Sequence, residues 1–300
     1  MTLAYSVSVI VPSYNRTKFL EAALASALAQ TFTDREIIVA DDGSGSDTLE
    51  FLRAAASRGI RVIELPHCGN PGRVRNAAIA AARGRYVAFL DSDDLWKPDK
   101  LERQLAALAS TPGARWSFTA CDRIDEDGAR LEPPRAGEQG RQGWIFDELL
   151  RLDITVAMPA VVAEREFVLD IGGFDESLPF GEFQDLCLRL ALASPVVAIA
   201  DPLCSVRTHR EHYSADRAAA FASWMKLYEK FSRIAPRVEQ RALALRLRAL
   251  TASRLAAHHA AAGSASVARA TVREALPFSW TYPDWWWRSV KTWVKTVVAP

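Results

Sequence analysis

Residues Tyr86–Trp96 read YVAFLDSDDLW. The run Tyr86–Leu90 is short, apolar, aromatic and branched, with Gly84 just before it, and this pattern predicts a buried strand. The strand delivers three carboxylates, Asp91, Asp93 and Asp94, to one point. Acids gathered this closely repel one another and are costly to desolvate. A hard divalent cation would offset that cost, because Mg²⁺ and Mn²⁺ prefer carboxylate oxygens and also take phosphate oxygens. The plainer account is a solvated Asp-rich turn capping the next helix, and for an isolated Asp-x-Asp that account would stand. The flanking segments weigh against it.

Upstream, strands and helices alternate. Val7–Val11 is an apolar strand candidate, and Thr17 could cap a helix in which Leu20, Leu24 and Leu28 recur every four residues. Glu36–Ala40 predicts a second strand, followed by the acidic turn DDGSGSD. A helix over Asp47–Arg58 stops at Gly59, and Arg61–Leu65 predicts a third strand. Pro71–Arg83 reads as a helix with Gly84 as its C-terminal cap. This alternation predicts an α/β fold, a mostly parallel sheet with helices on both faces. In such sheets ligands bind outside the carboxyl ends of the strands. Tyr14, Asn15, Asp41, Asp42, Asp91 and Asp93 all follow strand ends, so topology should gather them on one edge.

The pattern changes after Pro112. Ala114–Cys121 predicts a strand, Asp127-Gly128 a turn, Glu132–Gln142 a polar loop, and Thr155–Ala163 a strand interrupted by Pro159. A short helix over Glu164–Ile171, a helix over Asp185–Ala193 and strands Val196–Ala200 and Leu203–Arg207 follow. From Ala215 the chain reads as helical, with breaks at Pro236, Gly263 and Pro277. Near the end, Trp285, Trp286, Trp287 and Trp293 crowd with Arg288, Lys291 and Lys295. That composition suits a helix lying in a membrane interface. It equally suits a helix packed on protein or at a dimer contact.

Composition narrows the class. The chain has 300 residues, 49% hydrophobic, enough for one large α/β domain with an appendage. A formal net charge of +1 argues against a dedicated nucleic-acid binder. Four dispersed cysteines form neither a zinc pattern nor a disulfide framework and suit a reducing compartment. No secretion signal and no membrane-spanning run is expected, so the reading is cytoplasmic, with peripheral contact to the inner face of the membrane left open.

Several segments, taken in order, carry a resemblance. They are SVIVPSYNR (8–16), IIVADDGSGSDT (37–48), RNAAIAAARGRYVAFLDSDD (75–94), GGFDE (172–176), GEFQDLCLRL (181–190) and RTH (207–209). Together they resemble the inverting glycosyltransferases of family 2. The resemblance implies a GT-A-type sheet over 1–214, with a nucleotide-sugar half to about residue 112 and an acceptor half over 113–214. A helical extension covers 215–300. It implies a nucleoside-diphosphate sugar donor, most simply UDP-linked, a saccharide or lipid-linked acceptor, and Mn²⁺ or Mg²⁺ as cofactor. Tyr14 would lie against the base, where aromatic stacking contributes about 1–3 kcal/mol. Asp42 would accept from a base N–H, with Asp41 able to exchange roles. Pro12, Arg75 and Ser92 would line the donor site, Asp91 would approach the ribose, and Asp93 and His209 would hold the metal. Each has a plainer role too, such as a turn cap for the acids or a solvated helix face for Arg75.

An inverting transfer needs a base for the acceptor hydroxyl. The family pattern places an aspartate where this chain has Phe183, which cannot accept a proton. Three readings stay open. Glu182 or Asp185 takes the role through a local shift, Glu182 slightly ahead; the base comes from elsewhere; or the protein binds nucleotide sugar with weak or lost transfer. A nucleotidyltransferase lacks its early Gly-rich loop here, and a dinucleotide-binding dehydrogenase lacks G-x-G-x-x-G after the first strand.

Overall fold

The computed structural model describes residues 5–132, 141–178, 180–208 and 217–279, together with Tyr282, Trp285 and residues 287–291. Two compact units result: Met1–Ser177 with Glu182–Arg210, and Leu178–Gly181 with Glu211–Pro300.

The first unit is built on a nine-stranded sheet. Strand β1 (Tyr5–Ser13) lies inside it, parallel to β2 (Arg35–Asp41) on one side and to β4 (Gly84–Phe89) on the other. β3 (Ile60–Glu64) extends the parallel set beyond β2. Val7, Val9, Ile10 and Val11 are wholly buried, as a strand covered on both faces requires. The crossovers are α1 (Leu20–Leu28), α2 (Ser46–Ala56) and α3 (Pro71–Ala81). α1 buries Leu20, Ala23, Leu24 and Ala27, the spacing of one helical face. In α3, Pro71 opens the first turn and the Asn70 side chain accepts from Arg73 N at 3.1 Å, so both start signals are used.

Gly84 is not the helix cap that the sequence suggests. Ala82 is already extended, and Gly84 opens β4. A Cβ on Gly84 would sit 2.5 Å from Ser8 N, so glycine is required by the close approach of β1. Ser8 Oγ accepts from Gly84 N and donates to the buried Glu36 carboxylate.

Beyond β4 the sheet becomes mixed. β5 (Leu95–Trp96), α4 (Lys100–Ala109), β6 (Trp116–Ile124) and β7 (Arg130–Glu132) lead to α5 (Phe146–Arg151), β8 (Val162–Glu164), α6 (Arg165–Asp170), α7 (Glu182–Ala193) and β9 (Val196–Arg207). The order is β3-β2-β1-β4-β8-β6-β9-β5, with β7 on β6. β8 is antiparallel to β4 and β6, whereas β9 runs parallel to β6. Pro159 reshapes the expected strand over 155–163: Met158–Ala160 is a 3₁₀ turn and only Val162–Glu164 pairs. Conversely, the two strands expected at 196–207 are one strand, its register shifting where Ala120 faces Pro202, which has no N–H for the ladder. α7 begins three residues earlier than expected, which brings Glu182 into its first turn.

The second unit contains α8 (Arg217–Ile234), α9 (Val238–Ala261) and α10 (Ala265–Ser279). Its core joins Met225, Leu255, Val272 and Trp285 through a layer of alanines, whose small side chains let the helices approach closely. Pro236 and Gly263 separate the helices, as expected. Pro277 does not, because α10 continues to Ser279 and a proline this close to the end removes little of the hydrogen-bond ladder. Among the described residues no helix is long and apolar enough to cross a membrane.

Candidate active site

The carboxyl ends of β1, β2, β3 and β4 converge, and most of the sequence-selected residues meet there. After β1 the backbone turns at Asn15, a non-glycine residue with φ 47°. Its strain is supported on both sides: Asn15 N donates to Ser44 Oγ, and its side-chain oxygen accepts from Gly45 N, each at 2.8 Å. Asp41 completes this knot by accepting from Ser44 N and Ser44 Oγ. Asp41 therefore shapes the turn that sets Tyr14 and Arg16. Pro12 lies in β1 opposite Ala40, and Ser92 is buried just past β4.

Asp42 organises a different loop. One carboxylate oxygen accepts from Cys68 N and the other from Gly69 N, both at 2.9 Å. His67 Nδ1 lies 3.0 Å from the same carboxylate. Burial pushes the Asp42 carboxyl up, but hydrogen bonds from Cys68 and Gly69 and the nearby His67 together outweigh it and hold it below its ordinary value. The His67 ring stacks on Tyr14, centroids 4.3 Å apart and planes 17° apart. Tyr14 remains 45% exposed, with ring surface still open to a planar ligand. Sequence reasoning missed His67. The available signal was its place shortly beyond the carboxyl end of β3, the same rule that selected the other residues.

The acids after β4 are separated by their partners. Asp91 accepts from Arg75 Nη2 at 2.7 Å. Asp93 accepts from Arg16 Nη1 at 2.7 Å. Asp94 is buried and accepts from the backbone N–H of Arg207 at 2.8 Å. Burial, then repulsion from Asp91 and Asp93, pushes the Asp94 carboxyl well above the usual range. The Arg207 side chain donates to the carbonyls of Asp93, Asp125 and Glu126, fixing the backbone that carries Asp93. Neither Arg16 nor Arg207 was given a role by the sequence, although both lie in the quoted motifs.

Arg75 links this cluster to the start of α7. Its other guanidinium nitrogen, Nη1, lies 3.2 Å from Glu182 Oε1, and its charge faces the Phe174 ring. Burial raises the Glu182 pKa, Arg75 pulls it back in part, and the net position is above an ordinary glutamate. Asp185 is differently placed. It is fully buried and paired with Arg189 at 2.6 Å, and Arg189 also donates to the carbonyls of Ile171 and Gly173. Asp185 thus anchors α7 to the Gly172-Gly173 turn. Phe183 is buried. His209 lies outside the described residues, as do most of the expected loop (133–140), and Trp286, Trp293 and Lys295 of the tail.

Among the described residues no three His, Cys, Asp or Glu side chains form a ready metal cage. The donor chemistry nevertheless suits a hard divalent ion, being carboxylate oxygen throughout, and the mutual repulsion written into Asp94 is what such an ion would relieve.

Residues 8–150 match the family model described as Glycosyl transferase family 2. The chain carries a family 2 glycosyltransferase domain. An Escherichia coli UDP-Glc:alpha-D-GlcNAc-diphosphoundecaprenol beta-1,3-glucosyltransferase, WfgD, is 39% identical over 105 residues, which cover 35% of this chain and 41% of that protein. S. aureus TarS 1-349 in complex with UDP-GlcNAc superposes with a TM-score of 0.65 at 18% identity, covering 90% of this chain and 88% of that one. The mannosyltransferase PcManGT from Pyrobaculum calidifontis, in complex with GDP-Man and Mn²⁺, gives a TM-score of 0.62 at 20% identity, covering 99% and 87%. The fold is thus the GT-A type that the family 2 resemblance implied. The chain spans about half or less of the length of the curated relatives it matches.

Proposed function

We propose that this family 2 domain is a metal-dependent inverting glycosyltransferase. It transfers a sugar from a nucleoside-diphosphate donor, UDP-linked in the simplest case, to an acceptor hydroxyl in polysaccharide or glycolipid synthesis. The observation that carries the reading is the Arg75 bridge, which ties the donor-side Asp91 to Glu182. A base candidate and a donor-binding acid therefore share one ion-paired network at the carboxyl edge of the sheet. The UDP-sugar donor and lipid-linked acceptor named for WfgD support the substrate class.

In this reading residues up to about 112 bind donor and residues 113–214 receive acceptor. Tyr14 supplies stacking surface to the base. Asp42 holds the 67–69 loop beside it and offers its remaining lone pairs to a base N–H. Asp91 faces the ribose, and Asp93 is the described residue that would hold the metal. A bound divalent ion would neutralise charge on the departing diphosphate. Glu182 accepts the proton of the acceptor hydroxyl as that oxygen bonds to the anomeric carbon. The bond from that carbon to the diphosphate breaks in the same displacement, and its electron pair leaves with the nucleoside diphosphate. Desolvated glutamates with raised pKa values suit proton abstraction near neutral pH. Asp185 is already committed to Arg189.

The tail supports contact with a membrane surface at the acceptor step. Trp285 is taken up in the helical core, but Trp287 is 67% exposed with Lys291 over its ring, and Arg288 and Val290 are exposed beside it.

The test is sugar transfer and donor hydrolysis with UDP-, GDP- and dTDP-sugars, with and without Mn²⁺, in wild type and Asp93→Asn. Mn²⁺-dependent turnover lost in Asp93→Asn, with an unchanged melting temperature, is expected. Tight donor binding without turnover on any acceptor would instead favour a nucleotide-sugar-binding protein, the reading that buried Phe183 motivates. Turnover indifferent to both Mn²⁺ and Asp93 would refute the metal role.

A further inference from the structure

We infer that the helical unit α8–α10 is an electrostatic anchor for an anionic bilayer, meeting lipid headgroups with cations of its own helices as well as with the tail. This anchor rests on the membrane contact proposed for the tail and goes beyond it, because it extends the docking surface to three helices and sets the lipid class.

Charge is divided unequally between the two units. The second carries 14 Lys and Arg against 6 Asp and Glu, net +8, whereas the first carries 23 against 30, net −7. The whole-chain value of +1 hides this segregation. Like charges gathered on one small unit repel one another, so folding does not favour the excess, and an anionic partner does. The first unit is repelled by the same partner, which leaves attachment to the helices.

The fold turns acids inward and cations outward. Glu229 of α8 and Glu274 of α10 both meet Nη2 of Arg248 on α9, at 3.5 and 3.3 Å, and the Arg248 side chain is buried. Two of the unit's six acids thus serve to join its three helices. Lys226 on α8, Arg254 on α9 and Arg273 on α10 are exposed. Their chain neighbours Met225, Leu255 and Val272 lie in the shared core, so each cation projects from the side of its helix away from that core.

Apolar side chains stand among these cations, and this composition favours lipid over nucleic acid. Leu276 is exposed on α10 one turn beyond Arg273. In the tail Trp287 is 67% exposed with Lys291 over its ring, and Val290 is exposed beside it. An anionic bilayer offers phosphates to the cations and an acyl layer beneath them to the apolar groups. A nucleic-acid duplex offers the phosphates without that layer.

The experiment pellets the full chain with phosphatidylcholine vesicles, with and without phosphatidylglycerol, at low and high salt. A triple variant, Lys226→Glu with Arg254→Glu and Arg273→Glu, leaves the tail intact and brings the unit to +2. Wild type should bind the phosphatidylglycerol vesicles, bind phosphatidylcholine alone far more weakly, and be released by salt. The triple variant should bind about tenfold more weakly or worse, with an unchanged melting temperature. Should it fail to fold, the same three positions changed to Gln decide, with a loss of several-fold expected. Wild-type affinity in the triple variant, or in the Gln variant if only that one folds, would overturn the anchor. Equal binding of wild type to both vesicle types would overturn it as well. In either case loss of pelleting in Trp287→Ala with Lys291→Glu would leave the tail contact standing. Wild type that pellets with neither vesicle, whether or not it binds a DNA duplex, would refute the tail contact and the anchor together.

Discussion

Glu182→Gln and Asp185→Asn, compared side by side, separate a chemical role from a structural one. The Glu182→Gln side chain would keep the shape of the glutamate and an oxygen facing Arg75, and Arg75 would keep Asp91 at 2.7 Å. The folding cost should stay near ~1 kcal/mol, the scale of one partly buried pair. The chemical cost is larger: losing a positioned base slows transfer by about 10²–10⁴-fold, equivalent to about 3–5 kcal/mol of barrier. Asp185→Asn reverses the balance. It strips the charge from the buried partner of Arg189, and breaking such a pair costs about 3–5 kcal/mol of stability. The assay is nucleotide release and sugar transfer at saturating donor, paired with thermal melting and UDP titration of each variant. Because Glu182 must be ionised to act, activity should fall as pH is lowered through its raised pKa, and Glu182→Gln should lack that acid limb. A Glu182→Gln variant transferring within about threefold of wild type, with the acid limb retained, would refute the assignment, since a positioned base contributes far more than that.

Other outcomes can be read on stability and binding. Lys100 is wholly buried against the Trp96 ring, 4.1 Å from its centroid, with no hydrogen-bond partner for its amine among the described residues, and burial lowers its pKa to about 8. A depressed lysine destabilises the fold while charged, so stability should rise with pH between about 8 and about 10.5, by about 3 kcal/mol in all. Lys100→Met should stabilise the protein at neutral pH and remove that slope; a slope unchanged in denaturant titrations would disprove it. In the tail, Trp285→Ala should cost about 3–5 kcal/mol because it empties the helical core. Trp287→Ala combined with Lys291→Glu should leave melting unchanged and reduce pelleting with anionic vesicles. Undiminished pelleting would remove the membrane contact.

The carboxyl edge of the sheet was legible in the sequence because its signals are local. Apolar runs of about five residues, each followed by a polar turn, predict parallel strands whose ends must meet on one side, and Tyr14, Asp42, Asp91 and Asp93 meet there. Boundaries were less legible where one residue type serves two purposes. Gly84 fits a helix cap as well as a crowded strand start, and only the nearness of Ser8 N decides for the strand. Pro159 and Pro277 signal a break in the same way, yet one sits in a 3₁₀ turn and the other inside a helix.

What the sequence determined by itself was the order of elements from β1 to β4, the family and the edge that carries the acids, since hydrophobic period and turn chemistry act between near neighbours. What only the tertiary structure decided was the pairing of charges. Asp185 with Arg189 is a contact within one helical turn, but Arg16 with Asp93 spans 77 positions and Arg75 with Glu182 spans 107. Glu182 and Asp185 look alike on paper, two acids three residues apart. Asp185 is taken by Arg189 of its own helix, whereas Glu182 meets Arg75 only because helices separated in the chain pack over one sheet.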